Sequence, residues 1–167
     1  MKGRVSQLSA GAAVLALCSL AVFVGITKAS PAVGVTATLL GRGTYDGFNV
    51  RSNPQGSIAD FRAHSTQPID VVVQKHDFAP GSSSGWHQHP GPIFITVTKG
   101  QLTFYERDDP TCSPHVYSAG QGFVDTGDGH IGRNETTEPA SDVAVAIAPV
   151  GGAFRAELDA PGPYCSF

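Results

Sequence analysis

Three histidines carry the chemistry that can be read from this chain. His87 and His89 stand two apart in Gly85-Trp86-His87-Gln88-His89-Pro90. In an extended strand, side chains two apart share a face, under about 7 Å from one another along the chain. Both imidazoles can therefore close on one metal ion while Gln88 faces away. A His-x-His pair by itself fits surface or packing histidines equally well, so a third ligand is needed. His130, in Gly127-Asp128-Gly129-His130-Ile131-Gly132, supplies it. Three neutral imidazoles meet the usual ligand count of a catalytic metal site, which keeps one position open for water or substrate. The expected cofactor is a divalent transition metal: Fe, Mn, Zn, Ni or Cu. No serine, cysteine or carboxylate pair makes a better catalytic grouping. Asp125 and Asp128 flank His130, where either could orient the imidazole through its other nitrogen or simply make the turn.

These ligands need strands to hold them. The chain has 167 residues, of which 20 are Gly and 12 Pro, and only 15% are charged. Average usage is roughly 12% for Gly plus Pro and roughly a quarter for charged residues, so this chain is rich in turn-makers and short of charge. No G-X-Y period occurs, which excludes collagen, and the Gly and Pro are spread among Val, Ile, Thr and Phe as in a turn-rich globular domain. A net charge of −3 and no basic cluster beyond residues 1–4 exclude a nucleic-acid partner. Short β-branched or aromatic runs span 34–40, 43–50, 70–78, 94–98, 101–106, 115–118, 122–125, 143–149 and 153–158, with turn clusters such as Ala79-Pro80-Gly81-Ser82 and Lys99-Gly100 between them. That pattern predicts an all-β sandwich or barrel. One helical turn is compatible with 56–62, and no segment holds a helical period over ten residues. Strand parity turns Ile93, Ile95 and Val97 inward as a pocket wall that Phe104 and Phe123 complete. His76, in phase with Val72 and Phe78, faces the same interior, as a fourth ligand or proton shuttle or as a packed rim histidine. Trp86 has the parity opposite to His87 and is expected outside the barrel. His64 and His115 are expected to be exposed.

Residues 81–100 resemble the first motif of the cupin family, with Gly81, His87, His89 and Gly100 on the pattern and Pro90-Gly91-Pro92 as its turn. Residues 120–134 resemble the second, with Gly127, His130 and Asn134 in register; Asp125 stands where the pattern has proline, and its leading glycine is displaced to Gly120. The resemblance implies a cupin-type antiparallel jelly-roll β-barrel (double-stranded β-helix), one domain over 33–167, with the histidines pointing into its mouth. It also implies a small-molecule substrate or ligand, and cupins often pair through their sheets, so a homodimer is open. One departure matters. The glutamate that gives most metal-binding cupins a fourth ligand is Ile93 here. Losing a carboxylate removes a ligand and a charge, so a bound ion should be held more weakly and act as a stronger Lewis acid. Three-histidine sites resemble those of cupin dioxygenases, where Fe(II) is usual, whereas germin-like enzymes use the glutamate with manganese, so Ile93 argues against germin-type oxalate chemistry. The alternative is a non-catalytic cup that binds a small ligand without metal.

Residues 1–32 read as a secretory signal peptide: Lys2 and Arg4, an apolar run over 11–26, then small residues at Thr27 and Ala29 or at Ser30 and Ala32 for cleavage. An uncleaved anchor is the alternative, and only then would a membrane be a partner. Secretion leaves Cys112 and Cys165 in an oxidising compartment, where one disulfide is the simplest reading and two free thiols the other. Asn134-Glu135-Thr136 matches a glycosylation sequon, but Asn134 is also the motif's structural asparagine, and the sugar is discounted.

Overall fold

The computed structural model describes residues 29–52, 55, 60–165 and 167. Twelve strands are found among them and no helix: β1 (Val33–Tyr45), β2 (Phe48–Arg51), β3 (Arg62–Ser65), β4 (Ile69–Ser83), β5 (His87–Gln88), β6 (Ile93–Lys99), β7 (Gln101–Glu106), β8 (His115–Ser118), β9 (Gly122–Asp125), β10 (His130–Arg133), β11 (Ala140–Pro149) and β12 (Ala156–Glu157). All pairings are antiparallel. One sheet runs β1-β4-β11-β6-β9 and a second β12-β5-β10-β7-β8. The two join where Arg133 of β10 pairs with Ser83 at the end of β4. The result is a nearly closed jelly-roll barrel, and β2 and β3 form a separate two-stranded ribbon.

Alternation along each strand decides which face is core. On β6, Ile93, Ile95 and Val97 are buried while Phe94, Thr96 and Thr98 face out. On β4 and β11, Val72, Phe78, Ala144 and Ala146 face the same interior, with Leu102 and Phe104 opposite on β7. Each large apolar side chain so enclosed stabilises the fold by about 1.5–3 kcal/mol. A second cluster lies on the outer face of the other sheet, where Trp86, Tyr105, Ile131 and Cys165 pack together with Leu158 and Ala160. Cys112 and Cys165 are disulfide-bonded with Cα atoms 5.4 Å apart, so the chain end is tied to the loop between β7 and β8.

Several strand boundaries differ from expectation. The runs 34–40 and 43–50 are largely one strand, β1, which absorbs its glycines through a register shift between Leu39 and Gly41. The expected turn at 79–82 lies inside β4, where Val33 pairs with Ser83 but Val35 with Phe78, so the extra residues bulge out of the ladder. The last run is reduced to the two residues of β12. Residues 56–59 of the expected helical turn, and 1–28 of the expected leader, lie outside the described residues. Among the described residues, no helix is long and apolar enough to cross a membrane.

Candidate metal centre

Three adjacent pieces of chain deliver the histidines. His87 sits on β5 and pairs across the sheet with His130 at the start of β10, while His89 follows β5 and is fixed by its amide donating to Gly127 O at 3.1 Å. The ring centroids are 5.0 Å (His87 to His89), 4.5 Å (His87 to His130) and 5.5 Å (His89 to His130) apart. One ring nitrogen from each lies within 4.8 Å of those of the other two. Gly127 permits this approach: its φ is +103°, and a Cβ there would stand 2.6 Å from His89 O.

The second nitrogen of each ring fixes the tautomer. His87 Nδ1 donates to Gly85 O at 2.8 Å and His89 Nδ1 to Phe154 O at 2.7 Å, and His130 Nδ1 bonds to Asp125 Oδ2. Carbonyl and carboxylate oxygens only accept, so each Nδ1 holds its proton, which leaves Nε2 as the nitrogen open to a metal. His89 Nε2 is buried and has no hydrogen-bond partner. Burial first, and then the neighbouring His130 charge, holds His87 well below the usual imidazole range and lowers His89 to about 4. Both are neutral at physiological pH, as metal ligands must be. For Asp125, burial pushes the carboxyl up, but its bond to His130, the His130 charge and the Gly127 amide at 2.6 Å outweigh this and lower it. It stays ionised behind His130. Glu106, paired with His130 across β7 and β10, brings a second carboxylate near Asp125 and His130; burial and the Asp125 charge raise its pKa. The donor set, with three lone pairs converging and three second nitrogens anchored, fits a divalent transition ion.

The histidines open on a cavity of about 220 Å³. Ile93, Ile95, Phe104 and His76 line it. Val97 and Phe123, expected in the same wall, do not: Val97 is fully buried in the packed core, and Phe123 stands behind Phe104, with ring centroids 4.7 Å apart, and stacks on Tyr117. His76 is not grouped with the three histidines; its Nδ1 donates to Asp142 Oδ1 at 2.7 Å. Trp86 is outside the barrel but wholly buried, because the chain end covers it. Asp128 is exposed and caps Thr126. His64 and His115 are exposed. Asn134 is buried and donates to Phe78 O and Glu138 O, which suits the structural role. Sequence reasoning missed Gly85 O and Phe154 O, since a backbone acceptor has no residue-type signal. It also missed Arg155 at the cavity rim, whose guanidinium bonds Ser84 O at 2.7 Å and Glu157.

A jelly roll with this histidine arrangement defines a cupin. Residues 74–145 match the family model described as Cupin domain. Among solved structures, an uncharacterized conserved protein with a double-stranded β-helix domain from Klebsiella pneumoniae subsp. pneumoniae MGH 78578 is 25% identical, with a TM-score of 0.46 over 53% of this chain and 75% of that one. A recombinant oxalate oxidase in complex with glycolate is 26% identical, with a TM-score of 0.43 over 52% of this chain and 45% of that one, so the match spans less than half of that protein. A cupin domain from Bordetella pertussis Tohama I is 17% identical, with a TM-score of 0.43 over 72% of this chain and 96% of that one. No curated protein matches the chain.

Proposed function

We propose that this cupin is an exported metalloprotein that holds a divalent transition ion through His87, His89 and His130 and acts on a small oxygen-chelating molecule, with Fe(II)-dependent oxygenation as the first reaction class to try. The observation that supports it is the triple anchoring of Nδ1, which turns three Nε2 lone pairs toward one point. When bound, such an ion would act as a Lewis acid with coordination positions left for ligand oxygens. The protein's part is to keep His87 and His89 neutral, to hold Asp125 ionised behind His130, and to exclude water with Ile93, Ile95 and Phe104. Metal analysis of tag-free protein tests this. Stoichiometric metal that is lost in His130→Ala is expected, and a metal-free native protein with an unaltered fold would sink the proposal. That second outcome is the one expected of a non-catalytic cup, a reading favoured by the apolar Ile93 in the carboxylate's place.

Export is supported by the disulfide, and the packing of residues 30–32 bears on where the leader would be cut. Ser30 N donates to Leu158 O at 3.0 Å, and Ala32 lines the cavity. A Cβ on Gly85 would collide with Ser30 O, so the strap lies directly on that glycine. Cleavage after Ala29 keeps this strap, whereas cleavage after Ala32 removes it. The N-terminus of the secreted chain is therefore expected at Ser30, and intact mass reads it directly.

A further inference from the structure

The cavity wall is mainly apolar, yet two polar groupings face into it. One is the histidine triad, at the level of Ile93, which pairs with Asp125 on β9. The other is Gln74, His76 and Asp142, none of which the metal reading uses. Asp142 pairs across the sheet with His76 on one side and Val97 on the other, while Ala146 pairs with Val72 and Ile93. From Ala146 to Asp142 is four positions along β11, about 13 Å at roughly 3.3 Å per residue. Both groupings line the same cavity; Ile95 and Ala144 lie between the level of the histidines and that of His76 and Asp142, and Gln74, which pairs with Ala144, reaches back to His76.

Asp142 is buried, with 3% of its side chain exposed against 21% for His76. A carboxylate buried in such a wall is costly unless it is bonded, and the inward neighbours Val72, Phe78, Ala144 and Ala146 show that an apolar side chain packs here readily. His76 Nδ1 donates to Asp142 Oδ1, and Gln74 Oε1 lies 3.2 Å from His76 Nε2. With Asp142 beside it, His76 brings no surplus positive charge. The grouping offers hydrogen-bond donors and acceptors together, which suits a hydroxyl better than a second carboxylate.

We infer that Gln74, His76 and Asp142 form a second, ligand-reading pole of the cavity, and that the ligand is a small elongated molecule with chelating oxygens at one end and a hydroxyl at the other. This rests on the three-histidine reading for the chelating end. The test uses zinc-loaded protein and paired probes: butyrate with 4-hydroxybutyrate, pentanoate with 5-hydroxypentanoate, and hexanoate with 6-hydroxyhexanoate, each titrated by calorimetry. At one chain length the hydroxy acid should bind about ten-fold tighter than its parent, the value of one buried hydrogen bond. The advantage should fall below about two-fold in Gln74→Leu and in the double variant His76→Leu with Asp142→Leu, which removes both polar partners together and leaves no orphaned charge. Zinc affinity should not change in either. An equal response of parent and hydroxy acids at every length, or an advantage that survives in a folded variant, overturns the inference. Zinc titration of the free protein separates the failures: no stoichiometric uptake removes the three-histidine reading and this inference with it, whereas stoichiometric zinc with a flat acid series removes this inference alone.

Discussion

Asp125→Asn is the sharpest perturbation of the metal centre, because Asp125 uses both oxygens. Oδ2 takes the His130 Nδ1 proton, and Oδ1 accepts the Gly127 amide at 2.6 Å. Asparagine has one oxygen. If that oxygen stays on Gly127, the amide NH2 faces His130, Nδ1 must become the acceptor, and the proton moves to Nε2, where it blocks ligation. Metal affinity then falls about 10- to 100-fold, or about 1.4–2.7 kcal/mol. If the amide turns over, His130 keeps its tautomer but two donors meet at Gly127, and the metal-free fold loses about 1–3 kcal/mol because the site is buried. One of the two losses must appear. Zinc affinity by chelator competition reads the first, and urea unfolding of the metal-free protein reads the second. A variant within about two-fold of native affinity, and within about 0.5 kcal/mol of native stability, would refute the account of Asp125, since it would show neither loss.

Other outcomes follow from the same geometry. Ile93→Glu should tighten zinc binding by about ten-fold by restoring an anionic ligand; unchanged affinity would mean that this side chain does not reach the ion. In metal-free protein, His87 and His89 bind fewer protons folded than unfolded, so stability should rise with pH from about 4 to 6.5 and be lost on acidification, each group adding up to about 1.4 kcal/mol per pH unit within its window. Urea midpoints that are flat or fall over that range contradict the neutral-imidazole assignment. Replacing Cys112 and Cys165 with serine opens a link between residues 53 apart and should cost about 4 kcal/mol by loop entropy, read from unfolding curves compared with the oxidised parent.

Much of this architecture is local in the sequence. Alternation placed Ile93, Ile95 and Val97 inward because one face of β6 is covered and the other is not, and the histidine spacing brought His87 and His89 together although only His87 lies on a strand. Parity says which way a side chain points, and it does not say how far the cavity extends. Val97 is therefore inward yet beyond the cavity, in the packed part of the barrel. Trp86 was correctly turned outward, but its complete burial depends on Phe167, Leu158 and the disulfide-tied chain end, which no local period can register. Pro80 and Gly81 look like a strand end, and the register shift that lets β4 continue to Ser83 depends on pairing with distant Val33.

His89 owes its tautomer to Phe154 O, and the segment just after it pairs with β5 through Ala156 and Glu157. His89 therefore becomes competent as a ligand only after residues 154–157 are available to fold. A nascent chain in which residues 154–157 have not yet been released lacks the acceptor that sets the proton on His89. If the chain is exported unfolded, as proposed, translocation of this segment precedes metal capture. Under that proposal, which ion is taken up would be decided by what is available outside, and not by the pool in the compartment that made the chain.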